Sequence, residues 1–344
     1  VDELRKNKIY MEYRPILMES AEMMAEGQVI EAVNKMRINI ESITRSYAGK
    51  NERYNWVKDA KARYEEYLKT HNNNEGLSGI STGISTLDEL TGGWKEDDLI
   101  LIAGRSGEGK SLMSMYFAYQ AWWSFLKANM NVPVVYISTE MPELEVAYRL
   151  DTMRAHFSNK ELNQGKLQDI EAYREYLEEL EKKTNSLLIL TEDSNKGRSF
   201  TPNDIRSIIE SERPGLMVVD QLYDLSDGTG ERDIRKRIVN VSNDIRDVNM
   251  YTMTPIIWVA QAGRDSAREA KKDSKASPEL HHIQESDTPA QKSTKVITLR
   301  LINGEIMKLS LKKNRGGVKD KDIYLRADID KGYYGEIEEE ALAF

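Results

Sequence analysis

The 344-residue sequence contains no cysteine. That excludes disulfides, thiolate nucleophiles and cysteine-based zinc sites, and it suits a reducing cytosol. No apolar run approaches the roughly 20 residues that a membrane span needs. The start of the chain is charged and lacks the apolar core of a secretory signal. Its first residue is Val1, not Met, which leaves the true N-terminus open. Net positive charge is absent as well: 57 acidic residues outnumber 49 Lys and Arg, for a formal net charge of −8. A protein that coats nucleic acid is usually basic, so any nucleic-acid contact here has to come from local basic loops. No internal repeat stands out. What remains, 40% hydrophobic and 31% charged residues, is the composition of a globular chain. Its length suits one large α/β domain with an appendage, or two modest domains.

Three regions differ in pattern. Residues 1–54 carry apolar residues at helical spacing with few breakers, and read as short helices. Residues 55–71 predict an amphipathic helix with Val57, Ala60, Tyr64, Tyr67 and Leu68 on one face. "NNNEGLSG" (72–79) breaks that pattern and reads as a tether, so 55–79 is a linker helix with its tether. From residue 80 to 344, short β-branched runs alternate with helical stretches. The predicted strands are 98–104, 132–139, 186–193, 215–220, 254–261, 295–302 and 307–314. Unbroken apolar strands separated by helices imply a sheet buried on both faces, hence mostly parallel. The helix over 109–128 is apolar nearly all round, which predicts burial and makes Trp122 and Trp123 core residues. Asn303-Gly304 between the last two strands predicts a hairpin, so that the sheet ends in an antiparallel pair.

"GRSGEGKS" (104–111) fits G-x-x-x-x-G-K-[ST], with a predicted strand before it and a helix after it. Each residue type has a physical reason. Glycines let the backbone curl until successive N–H groups point at phosphate oxygens. The following helix presents its positive end to the same anion. Lys110 reaches the β- and γ-phosphates, and the Ser111 hydroxyl is a hard oxygen ligand suited to Mg²⁺. Gly104, Arg105, Ser106, Gly107, Glu108, Gly109, Lys110, Ser111 and the adjoining Leu112 are the candidate nucleotide-binding set. ATP and Mg²⁺ are the expected ligands.

Three further groups close predicted strands. Asp220 ends "GLMVVD", where a carboxylate can hold Mg²⁺ through its water shell. Glu140 follows "VVYIST" and stands either as a base for a nucleophilic water or as a helix-cap acid. Gln261 ends "WVAQ" and either senses a γ-phosphate or satisfies backbone groups. Carboxyl ends of parallel strands converge on one crevice, so all three could meet the phosphate loop.

Five segments in this order resemble DnaB-type hexameric replicative helicases, with a look closer to phage-encoded members. They are "ISTGISTLDELTGGWKEDDLILIAGRSGEGKS", "YISTEMPELEVAYRL", "LMVVDQLYDLSDGTGERDIRKRIVNVSNDIRDV", "TPIIWVAQAGRD" and "LSLKKNRGG", and the likeness runs over roughly residues 55–335. The resemblance implies a RecA-like P-loop NTPase domain, a mostly parallel sheet flanked by helices, behind a small helical N-terminal region. It makes Glu140 the base, Asp220 the Walker B acid and Gln261 the γ-phosphate sensor. Lys313 and Arg315 become a finger reaching the nucleotide of a neighbouring subunit in a homo-hexamer. Composition alone leaves those two as a solvated strand end. The resemblance also implies that the linker helix docks on the adjacent protomer. It brings primase and a helicase loader as family partners, and a bacterial cytoplasm, phage-infected or not, as the compartment.

Two departures matter. "ELHHIQESDTP" (279–289) stands where the family carries an acidic-Leu-Arg-Glu-Ser-Gly segment that helps hold DNA. Glu285 and Ser286 correspond to part of it, but the arginine is missing. The N-terminal region is also shorter than the family's. Two loops are candidates for single-stranded DNA: 226–237 and 263–277. The second carries Arg264, Arg268, Lys271, Lys272 and Lys275 against three acids, a net +2. Lining a ring's central hole, it would track a backbone without reading bases; on composition it is equally a solvated loop. The adjacent His281 and His282 point apart on any regular element and do not make a metal site. An ATP-driven helicase is the leading reading. A strand-exchange ATPase and a nucleotide-gated ring scaffold are the rivals, since one fold serves all three.

Overall fold

The computed structural model describes residues 2–48, 54–71, 77–263, 278 and 286–338. The chain divides into two compact units, residues 1–69 and 70–344. The first is helical. In place of several short helices it has two long ones, α1 (Asp2–Ala25) and α2 (Val29–Ala48). They turn at Gly27, whose φ of +85° is open to glycine at little cost, and pack with Ser20 and Ala32 buried. The helix expected over 55–71, α3 (Ala60–His71), starts later than its apolar pattern. The reason is local: the Asn55 side chain accepts from the N–H groups of Val57 and Lys58 at 3.1 and 3.0 Å, which holds a turn ahead of the helix.

The second unit is built on a nine-stranded sheet in the order β3-β2-β4-β5-β1-β6-β7-β8-β9. The strands are β1 (Leu99–Gly104), β2 (Val134–Ser138), β3 (Leu187–Leu190), β4 (Leu216–Asp220), β5 (Ile256–Gln261), β6 (Lys295–Ile302), β7 (Ile306–Asn314), β8 (Lys321–Asp328) and β9 (Tyr333–Ile337). The strands from β3 across to β6 run parallel, and β7 to β9 continue antiparallel. Side chains alternate along β1. Ile100 and Ile102 join a core with the helices α5 (Lys110–Lys127) and α6 (Glu143–Ala155) on one face. Leu99, Leu101 and Ala103 face the other layer, where α9 (Pro202–Glu212) and α10 (Ile234–Thr252) pack. Two short helices, α7 (Asn159–Gln164) and α8 (Ile170–Glu181), follow α6 on the first face's rim, α4 (Ser85–Thr91) precedes β1, and α11 (Thr288–Lys292) precedes β6.

All seven predicted strands form. The Asn303-Gly304 turn is present with both residues at positive φ, +53° and +78°, and it joins β6 to β7. The sheet does not stop at that pair. β8 and β9 extend it, and neither stood out in the sequence: β8 is bounded by charged residues, and β9 is short with Gly335 at its centre. Trp122 is core, 5% exposed, its indole N–H donating to the Asn185 carbonyl at 3.1 Å.

Candidate active site

β1 delivers Gly104 to the carboxyl edge of the sheet, and α5 begins at Lys110, so Arg105–Gly109 is forced into a tight loop. Gly109 takes φ +83°, and a Cβ there would lie 2.6 Å from the Met307 methyl group. The positive φ favours glycine at this position, whereas the flexible Met307 side chain could give way. Lys110 Nζ crosses the loop and donates to the Arg105 carbonyl at 3.0 Å. Burial lowers the Lys110 pKa, while the carboxylates of Asp220, Glu140 and Glu108 work to raise it. Glu108 has a role its position did not announce. Its carboxylate accepts from Arg300 at 2.7 Å and from the Leu301 N–H, which ties the phosphate loop to β6.

Parallel register brings the other groups alongside. Gly104 pairs with Gln261 and Ser138 with Asp220, across neighbouring strands of one sheet. Asp220 is 1% exposed. Its Oδ2 accepts from the Tyr136 hydroxyl at 2.7 Å, and its Oδ1 is buried without a partner. Burial raises the Asp220 pKa against the hydroxyls of Tyr136 and Ser111. An orphaned buried carboxylate oxygen beside the Ser111 hydroxyl carries an uncompensated desolvation cost, and a divalent cation would relieve it. The donor set therefore fits Mg²⁺. Among the described residues no cluster of three or more His, Asp or Glu side chains forms a metal site by itself, so the remaining oxygens would come from phosphate and water.

Glu140 is exposed at the same edge. Its carboxylate accepts from the Gln221 side-chain amide. Thr139 locks that arrangement: its hydroxyl donates to Asp224 at 2.7 Å and accepts from the Gln221 N–H at 2.9 Å, and its own N–H donates to the Asp220 carbonyl at 2.7 Å. Glu140 is thus steered by Gln221, a residue the sequence offered no reason to choose. The Gln261 carbonyl accepts from the Tyr223 hydroxyl at 3.2 Å.

Lys313 and Arg315 lie elsewhere. β7 runs antiparallel to β6, so its last residues sit at the amino edge of the parallel strands. A bulge at Lys312 shifts the register there. Lys313 Nζ donates to the carbonyls of Ala290 and Gln291, both at 2.9 Å, and Arg315 is exposed. Burial, then the nearby Arg315 and Arg246, lower the Lys313 pKa. Arg246, missed in the sequence, is fixed by donating to Asn249 Oδ1 at 2.7 Å and the Asp97 carbonyl at 3.1 Å.

Of the expected DNA contacts, Arg264, Arg268, Lys271, Lys272 and Glu285 lie outside the described residues, as do Lys275, His281 and His282. Ser286 is described, and its side chain accepts from the Thr288 N–H at 3.1 Å, a turn ahead of α11. In the loop 226–237, Asp227 accepts from Asn240 and Thr229.

The profile of the DnaB-like helicase C-terminal domain matches residues 79–344. The chain belongs to the DnaB-like helicase family. It is 26% identical over 279 residues to the replicative DNA helicase DnaB of Mycoplasma genitalium, covering 76% of this chain and 58% of that protein. It is 24% identical to the DnaB of Leifsonia xyli, covering 80% and 58%. It thus spans a little under three-fifths of the length of these relatives. Among solved structures, an isolated ATPase domain superposes with a TM-score of 0.68 at 18% identity, covering 81% of this chain and 99% of that one. A DnaB-like replicative helicase described with its interactions with primase superposes at 0.72, also at 18% identity, covering 97% and 78%. These likenesses confirm the RecA-like ATPase fold. No described helix is long and apolar enough to cross a membrane.

Proposed function

We propose that this protein is an ATP-driven replicative helicase, a ring of six copies that translocates on single-stranded DNA and separates duplex. One observation carries the reading: the candidate residues for the two halves of a hydrolytic site stand on opposite edges of one sheet. The carboxyl edge has the phosphate loop, Asp220, Glu140 and Gln261; the amino edge has Lys313 and Arg315. Head-to-tail association, which forms a ring where the rotation closes, brings the amino edge of one copy to the carboxyl edge of the next.

In such an interface the loop N–H groups and Lys110 hold the phosphates, and Ser111 and Asp220 would hold Mg²⁺, which would supply charge neutralisation for the triphosphate. Glu140, aimed by Gln221, takes the proton of a water. The water oxygen bonds to the γ-phosphorus as the bond to the ADP oxygen breaks. Arg315 and Lys313 of the neighbouring subunit meet the charge that develops on the γ-oxygens. Gln261 reports the γ-phosphate, and the loops after β4 and β5 (226–237 and 263–277) carry the response to DNA phosphates in the central hole. Residues 55–79 are the linker whose helix docks on the adjacent copy, between a helical region at 1–54 and the motor at 80–344. Primase is the partner suggested by the solved relative, and a loader by the family resemblance. The compartment is the bacterial cytoplasm.

The test measures ATPase rate with and without single-stranded DNA, particle mass with a non-hydrolysable nucleotide, and unwinding of a forked duplex. Stimulated turnover, a ring and unwinding are expected. Strand exchange without unwinding would move the protein to the recombinases, and slow turnover indifferent to DNA would make it a scaffold.

A further inference from the structure

Behind Asp220 lies a polar pair that the hydrolytic scheme leaves unused. Tyr136, in the middle of β2, and Ser114, in the second turn of α5, are both 0% exposed. The Tyr136 hydroxyl donates to Asp220 Oδ2 at 2.7 Å. It lies 3.2 Å from Ser114 Oγ, which donates to the Ser111 carbonyl at 2.9 Å. Four groups therefore form one buried chain, from the Walker B carboxylate through two hydroxyls to the backbone of the serine on the metal side.

The proton count constrains that chain. A carboxylate and a carbonyl only accept, and each hydroxyl has one proton to give. The chain has three oxygen–oxygen links and two protons, so one link must stay unfilled. The longest of the three is the middle one, between Ser114 and Tyr136. The outer links are the filled ones, and each hydroxyl is committed to one end. Buried hydroxyls in a packed apolar layer are costly unless bonded, and Val134 and Val218 beside them show that the layer accepts aliphatic residues. The oxygens serve the carboxylate.

We propose that Tyr136, seated by Ser114, is a positioning residue for Mg²⁺. By engaging Oδ2 it fixes rotation of the Asp220 carboxylate, leaving Oδ1, which has no partner in the chain, presented to the metal beside Ser111. This rests on the nucleotide-hydrolysing reading above.

The test compares Tyr136→Phe, which removes one oxygen and keeps the ring, with Ser114→Ala. Binding of a fluorescent ADP is titrated with Mg²⁺ and repeated in EDTA, alongside steady-state ATPase. For Tyr136→Phe, the Mg²⁺ concentration at half-effect should rise about 10-fold and kcat fall about 10- to 100-fold, the usual cost of losing a group that orients a metal ligand. Affinity in EDTA should stay at the wild-type value. Ser114→Ala should shift the Mg²⁺ dependence in the same direction by less, and it carries the test should the Phe variant not fold. An unchanged Mg²⁺ dependence, or an equal loss of affinity in EDTA, overturns the proposal. A wild-type protein that binds Mg²⁺ and ADP together yet hydrolyses no ATP would sink the motor reading instead, while the binding comparison still decides Tyr136.

Discussion

Arg315→Ala is the perturbation with the clearest geometric consequence. The Arg315 N–H donates to the Thr294 carbonyl at 2.9 Å, and the Thr294 N–H donates to the Leu99 carbonyl at 2.8 Å. Arg315 is therefore level with the first residue of β1, whereas the phosphate loop leaves from its last, Gly104. Five residues of strand rise about 17 Å, and the two strand spacings from β1 to β7 add about 10 Å sideways. The backbones are then about 20 Å apart, beyond what one side chain spans, so Arg315 cannot serve its own loop. Acting on a neighbour's nucleotide, its removal should lower turnover about 10³- to 10⁵-fold, roughly 4–7 kcal/mol of transition-state stabilisation. Mixing supplies the assay. In rings of six assembled with about one-third Arg315→Ala, only about 9% contain no mutant, so a coordinated ring keeps about that share of ATPase, whereas proportional dilution keeps about 67%. If interfaces instead fire independently, mixing Arg315→Ala with Lys110→Ala in equal amounts restores about one interface in four, because a head-to-tail contact can take its loop from one variant and its arginine from the other. Proportional loss with no restoration would refute trans action, and a homogeneous Arg315→Ala ring with normal turnover would remove the finger altogether.

Three other outcomes follow from specific contacts. Lys295 and Asp98 form an ion pair buried at the amino edge of the sheet; Lys295→Ala leaves the carboxylate buried and unpaired and should cost about 3–5 kcal/mol in urea unfolding, so a change under about 1 kcal/mol would mean that water reaches the pair. Burial raises the Asp151 pKa above 3.8, against hydrogen bonds from Tyr173 and Tyr176. A raised acid stabilises most when protonated, so this contribution is full below the ordinary aspartate range and fades as pH rises through the folded value; the melting temperature of wild type relative to Asp151→Asn should therefore fall from about pH 4 to about pH 7, and a constant difference would contradict it. Lys271→Glu with Lys272→Glu should weaken single-stranded DNA binding and shrink the slope of log affinity against log salt by about 1 for each phosphate that the loop no longer neutralises; unchanged binding would take the loop after β5 out of the central hole.

Much of the fold and part of the site were legible in local pattern. The glycine-rich loop is readable because one contiguous stretch must be both flexible and basic to wrap an anion, and most parallel strands because β1, β2, β4 and β5 are buried along nearly their whole length and so run largely apolar. Asp220, Glu140 and Gln261 were placed by the same logic, since strands of that kind end on a common edge. β8 and β9 were not legible. β8 buries part of its length between charged ends, and β9 is a half-exposed edge strand, so neither shows a continuous apolar run.

Sequence by itself determined seven of the nine strands, that a glycine-rich loop joins β1 to α5, and that a hairpin turns at Asn303-Gly304. Tertiary structure alone decided who stands beside whom. Gln221 reaches Glu140 from 81 residues away, Tyr136 reaches Asp220 from 84, and Glu108 is tethered to β6 from 192. It also decided that the last residues of β7 lie at the edge opposite the phosphate loop. The reason is that periodicity records only the environment each residue needs, buried or wet, whereas strand order and direction are settled by how the whole chain closes its loops and fills both faces of the sheet.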